Sequence, residues 1–393
     1  MTTTRASFAL FLIIIATAAS AEDHRPPILI GIDAEFGVVN STSAQAIRLG
    51  AQIAMDEINA AGGVLDGRPL ALVEKDDRSV PARFIKNLRE FAADPNVVAV
   101  LCGRYSPVVV EALPDIHQLK IPLLDPWAAA DPITAHDFRP NYIFRLSLRD
   151  TWAMQVMIRY AQQRGVRRIG LLVPNTEWGR SNLRAAEALK GSDPDFTLVD
   201  TQWFNWGDSS LLNPYQALIK AGAEAVIFVS NEREGVILIK EIAALPKEQR
   251  LPIIAAWGIT GGNLFQNAGS ALNAIDLAVV QTYSFIGADD PVAQRVVQAA
   301  RRYGIDGPRR IPAPVGVAHA YDLVHILARA IRIAGSTDRS AVRDALEKVT
   351  DYPGLVKTYP QPFTPDRHDA LSPQEVFMAR YADDGAIVRI DPQ

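Results

Sequence analysis

The chain contains a single cysteine, Cys102, in 393 residues. That excludes an intrachain disulfide, so the folded state has to be held by a packed core rather than by covalent staples. Several catalytic patterns are missing too: no HExxH or CxxC metal motif, no G-x-S-x-G nucleophile turn, and no glycine-rich loop carrying the lysine of a phosphate site. Basic blocks and low-complexity tracts are absent. With Lys and Arg at 40 against Asp and Glu at 44, the formal charge of −4 gives no electrostatic reason to bind nucleic acid. Beyond the first twenty residues no segment approaches the ~20 apolar residues that a membrane-spanning helix needs.

What is present begins with a leader. Residues 1–21 carry one charge, Arg5, then an apolar run at residues 8–19, and close on Ala19-Ser20-Ala21, a small-x-small cleavage pattern. We read a signal peptide cleaved after Ala21 and a soluble protein of the periplasm. It is not a lipoprotein, because Cys102 lies far from the cleavage site and tethering needs a cysteine directly after it. The remaining length, with 48% apolar residues, predicts two domains of ordinary size.

Strand-like runs alternate with helical-period segments: strand 28–32, helix 43–61, strand 70–75, helix 81–93, strand 97–101, helix 107–119 and strand 121–124. That alternation predicts a doubly wound parallel sheet. In the 43–61 segment Ile47, Ala51, Ala54, Met55 and Ile58 share one face, as an amphipathic helix packed on a sheet requires. A second series of the same kind runs from helix 151–164 to strand 278–282. Three helices follow at 291–303, 315–334 and 340–349, then a proline-rich stretch at 352–373 and a strand pair at 375–381 and 386–390. The expected fold is α/β, two doubly wound parallel-sheet lobes joined by a multi-strand hinge. Lobe 1 takes residues 27–144 and 284–370, and lobe 2 takes residues 145–283 and 371–393.

The DEINAAGG run at residues 56–63, GRPL at 67–70, the Asp76-Asp77 pair, Phe144-Arg145, Glu177-Trp178-Gly179 and Ala320-Tyr321-Asp322 follow one another in a specific order and spacing. In this the chain resembles the type I periplasmic binding proteins, in the leucine/isoleucine/valine-binding branch that serves ABC importers. The resemblance implies two lobes that trap a small molecule between them, ABC permease subunits as partners, a monomer, no cofactor and no catalysis. It also assigns a site. Arg104, Tyr105 and Ser106 follow a strand, with Ser106 placed either to cap the next helix or, as the resemblance implies, to hold a ligand carboxylate. Trp127, Ala128 and Ala129 occupy the loop that in the family offers carbonyl and hydroxyl oxygens to an α-amino nitrogen, and here alanine stands where the hydroxyl is expected. Trp178 falls where the family sets an aromatic ring over the ligand, so its loss should abolish closure and spare the empty protein's stability. Asn231 and Glu232 line the cleft, Glu232 either pairing with an amino group or lying at a solvated helix start.

The main departure is Trp257, at the position where amino-acid binders of this family carry the acid that pairs with the ligand ammonium. Losing that carboxylate puts a standard branched-chain amino acid in doubt. Trp127, Trp178 and Trp257 converging on one cleft suit a flat or aromatic ligand, with Arg104 available for its carboxylate. The sequence thus reads as a receptor for a small carboxylate-bearing solute, in transport or, alternatively, as a sensor coupled to a signalling partner. His319 and His325 read as packing or surface residues, and the Gly258–Gly262 stretch as a turn.

Overall fold

The computed structural model describes residues 26–191, 193 and 195–390, so the expected leader and cleavage site lie outside the described residues. Two sheets organise these residues. The first is all parallel, in the order β2-β1-β3-β4-β5, from β1 (Ile28–Ala34), β2 (Leu70–Asp76), β3 (Val97–Cys102), β4 (Leu123–Asp125) and β5 (Ile143–Arg145). Its connections are α1 (Ser43–Ala60), α2 (Pro81–Ala93), α3 (Ser106–Glu111) and α4 (Leu113–Leu119). Every residue of β3 is buried, the pattern of a central strand covered on both faces. From Ala99 onward its side chains alternate, Ala99 and Leu101 joining one apolar cluster and Val100 and Cys102 the other, after a register shift against β1 at Val98.

One helix was expected over residues 107–119, and two are found. Pro114 has no N–H to give to the carbonyl four residues back, so the chain breaks at Ala112 and restarts.

The second sheet follows through α5 (Asp150–Gln163), β6 (Arg168–Pro174), α6 (Glu177–Lys190), β7 (Thr197–Phe204), α7 (Leu212–Lys220), β8 (Ala225–Phe228), α8 (Glu232–Ala244), β9 (Ile253–Ala255), α9 (Leu264–Ala268) and β10 (Leu277–Gln281). Its order is β14-β13-β10-β9-β8-β6-β7, with β13 (Phe377–Tyr381) and β14 (Ile387–Arg389) added antiparallel at one edge of a parallel core. Between β10 and β13 the chain returns to the first sheet as α10 (Pro291–Ala300), α11 (Pro314–Ala334), α12 (Arg339–Leu346) and a small hairpin of β11 (Tyr352–Pro353) and β12 (Thr358–Tyr359). The backbone therefore passes between the two units three times, which makes a hinge.

Helix α11 lies along α1 so closely that a Cβ on Gly50 would sit 2.1 Å from the Val317 carbonyl oxygen. A glycine at that point is what permits the approach. Arg339 fixes the following segment by donating to the carbonyls of Phe91, Ala92, Asp94 and Val97. No helix among the described residues is long and apolar enough to cross a membrane.

Candidate functional site

The loops that leave the carboxyl ends of β1, β3 and β4 meet those leaving β8 and β9, the place where open parallel sheets hold ligands. The main chains touch there. Ser41 and Gly262 form an antiparallel bridge, the Thr42 amide donates to the Gly261 carbonyl at 2.8 Å, and the Asn263 amide to the Asn40 carbonyl at 3.1 Å. Lobe 1 and lobe 2 are thus closed on each other.

Arg104 leaves β3 in lobe 1 and is buried against lobe 2, with Nη1 at 2.7 Å from Glu232 Oε2 and Nε at 3.6 Å from Glu35 Oε1. It donates further to the Gly258 carbonyl and to the Tyr105 hydroxyl oxygen. The guanidinium read from sequence as open to a ligand carboxylate already faces two carboxylates of the protein, although its Nε makes no hydrogen bond among the described residues. Glu232 is correspondingly no solvated helix start, being 4% exposed. Tyr105, Asn231 and Glu232, from both lobes, line a cavity of about 830 Å3 together with Val38, Trp206 and Lys240.

Ser106 does not cap α3. Its hydroxyl oxygen accepts from the amides of Ala129 and Ala130 at 3.0 and 3.1 Å, tying the two lobe 1 loops together and leaving its own proton to donate. The loop carrying Trp127, Ala128 and Ala129 is locked from within. Asp125 Oδ1 accepts from the Trp127 and Ala128 amides. The carbonyls of residues 126, 127, 129 and 130 accept, in turn, from His319, from the single Ser147 hydroxyl proton, from the Asp150 amide and from Arg145, and the Ala128 carbonyl lies 3.4 Å from the same Ser147 oxygen. Most of the carbonyls expected to serve an α-amino group are therefore occupied by the chain's own donors.

Trp127 and Trp257, each 1% exposed, meet across the lobes with ring centroids 5.6 Å apart, and Trp257 rests on His319 at 5.8 Å. Trp127 Nε1 and Ser230 Oγ are buried without a hydrogen-bond partner among the described residues. Trp178 sits beside Gly258 and Asn231, 6% exposed, and its Nε1 donates to Asp150 Oδ1 at 3.1 Å. It is built into lobe 2, so the expectation that its removal would spare stability is corrected. Trp178→Ala should cost about 3 kcal/mol in urea unfolding of the empty protein, through a lost indole and a stranded Asp150. A loss below about 1 kcal/mol would show that the ring is not part of the core.

Sequence reasoning missed Glu35, which is wholly buried and accepts from the Ser41 and Ser43 hydroxyls. An acid just beyond the carboxyl end of the first strand was the available signal. Close by, burial and the neighbouring Asp77 push the Asp33 carboxyl up to about 8, and burial with Glu35 pushes Asp77 up to about 7. Burial likewise raises Asp125 to about 7 despite Arg145.

These acids bind protons in the native state that the unfolded chain has already released. His136 and His319, held down to about 4 by burial, oppose this trend below about 6.5, so stability is expected to fall as pH rises from about 6.5 to about 8, by on the order of a few kcal/mol. Asp33→Asn should flatten that slope. Urea midpoints that stay level or rise across this window in the wild type would refute it.

A family profile described as periplasmic binding protein matches residues 28–386. A Leu/Ile/Val-binding protein homolog of Brucella melitensis is 24% identical over 340 residues, covering 83% of this chain and 84% of the relative. The periplasmic binding protein type 1 of Bordetella pertussis superposes with a TM-score of 0.83 at 21% identity, over 93% of this chain and all of that one. An ABC transporter solute-binding protein of R. palustris, solved with benzoate, gives 0.75 at 16% identity, over 93% and 95%. Proteins of this family bind substrates and are not enzymes. With the profile spanning almost all of the described residues and both sheets in place, the chain belongs to the periplasmic binding protein family and has its type I fold.

Proposed function

We propose that this protein is the periplasmic solute-binding component of an ABC importer, working as a monomer, and that it encloses a small, carboxylate-bearing, flat or aromatic solute lacking an α-amino group. The observation that carries the reading is that buried donors where the lobes meet lack a hydrogen-bond partner among the described residues, the Trp127 indole N–H from lobe 1 and the Ser230 hydroxyl from lobe 2 among them. Unpaired donors in a water-excluded contact are costly, and an anionic ligand bridging the lobes would satisfy them. The Ser106 proton is a third donor on the lobe 1 side.

Against an amino-acid ligand stand Trp257 in place of an acid and the occupied carbonyls of residues 126, 127, 129 and 130. The benzoate complex of the R. palustris protein supports the choice of ligand class, since a related fold accommodates an aromatic acid. Such a solute stabilises the closed form by touching both lobes, and a permease reads that form.

Native mass spectrometry of the purified protein, with chemical identification of anything carried along, tests the ligand directly. In a melting-temperature panel, aromatic monocarboxylates should stabilise by about 3 kcal/mol near a hundredfold excess over Kd, and leucine should do nothing. Stabilisation by leucine or isoleucine and by no deaminated acid would defeat the proposal.

A further inference from the structure

Around the Arg104 guanidinium the structure builds what a cation-binding site needs. Glu35 comes from lobe 1 and Glu232 from lobe 2, the Gly258 carbonyl oxygen lies at 3.3 Å, and the Tyr105 hydroxyl oxygen at 3.0 Å with its ring face 4.9 Å from the guanidinium carbon. The side chain is 1% exposed, so these groups act on it with little screening. Gly261 is part of the fit. Its φ of −83° is open to any residue, yet a Cβ there would lie 1.9 Å from Arg104 Nη1. The glycine-rich stretch read as a turn is thus the wall against which the guanidinium rests.

Resting on the reading of the interlobe gap given above, we propose that this is a socket for an ammonium or guanidinium group, plugged in cis by Arg104. The plug closes the lobes without a solute and makes Arg104 the residue that excludes cationic and zwitterionic ligands. Two carboxylates face one guanidinium, so removing the side chain leaves two buried anions on opposite lobes that repel each other and accept a cation from solution.

The experiment uses Arg104→Ala, small-angle scattering and thermal unfolding, with methylguanidinium chloride as the probe. The variant should have a larger radius of gyration than wild type and melt roughly 8 °C lower. Millimolar methylguanidinium should restore both values, while tetramethylammonium at equal ionic strength and sodium acetate should not, and wild type should respond to none of them. A variant as compact as wild type, or one that any salt rescues, overturns the proposal.

Gly261→Ala provides a second reading that keeps every charge. It should open the wild-type protein by pushing Arg104 aside, and in the Arg104→Ala background it should have no further effect. Additive effects, or a closed Gly261→Ala protein, would also overturn the proposal. Because neither variant is tested with the native solute, failure here is separable from failure of the ligand panel, which uses the unaltered protein.

Discussion

Asp322→Ala is expected to lower the stability of the empty protein by about 5 kcal/mol, the largest effect of any single change considered. Asp322 lies on α11, fully buried, and its two oxygens accept four hydrogen bonds. Tyr352 and Tyr359 donate hydroxyls at 2.9 and 2.8 Å, and the amides of Leu355 and Val356 donate at 2.6 and 2.9 Å. One carboxylate thus organises the whole β11–β12 hairpin, whose two tyrosine rings stack nearly parallel at 5.7 Å. Alanine would strand all four donors in a space too crowded to rehydrate them well, at about 1–3 kcal/mol for each donor that finds no substitute. Urea unfolding should register the global loss, and hydrogen exchange should show the Leu355 and Val356 amides losing protection first. A change under about 1 kcal/mol would mean that the hairpin is held by something else. Asp322→Asn, which keeps an acceptor oxygen, should fall between the two.

Arg145→Met is expected to cost about 4 kcal/mol, and adding Asp369→Leu should recover most of it. Arg145 ends β5 with no exposed surface, its Nε 2.6 Å from Asp369 Oδ1, its Nη1 on the Ala130 carbonyl and its Nη2 on Thr134 Oγ1. The backbones pair as well, Arg145 accepting from the Ala370 amide and donating to the His368 carbonyl. Removing Arg145 leaves the buried Asp369 with only the Thr134 hydroxyl and the more distant Arg149 at 3.7 Å, whereas replacing both partners with apolar groups is close to neutral. Scanning calorimetry of the two single variants and the double variant gives the coupling. If the double variant is as unstable as the sum of the singles, the loss comes from the other hydrogen bonds and not from the stranded carboxylate.

Much of the fold was legible from periodicity alone. Helix α2, for instance, was expected at residues 81–93 and is found at Pro81–Ala93, because Pro81 suits a first turn and Phe84, Leu88 and Phe91 mark one face. The resemblance pointed to segments that do face each other across the lobes, since Arg104, Trp127, Glu232 and Trp257 all make contacts between them. Who pairs with whom was not legible. Glu35 and Arg104 are separated by two strands of sequence, and only the closing of the β1 and β3 loops onto α8 shows that the arginine is spoken for. The same holds for Ser106, whose hydroxyl could cap its own helix on local grounds. Tertiary proximity gave it the Ala129 and Ala130 amides instead. Gly261 looked like turn chemistry because its role depends on a side chain more than 150 positions upstream.

The return of the chain to each unit late in its length constrains how the protein can assemble. In the first unit α1 lacks the helix it packs against until α11 ends at Ala334, and the second sheet lacks its antiparallel edge until β14 ends at Arg389. A half-synthesised polypeptide therefore contains no finished module. Each incomplete half exposes an apolar face or an open strand edge, so maturation must wait for the final residues and run through contacts distant in sequence.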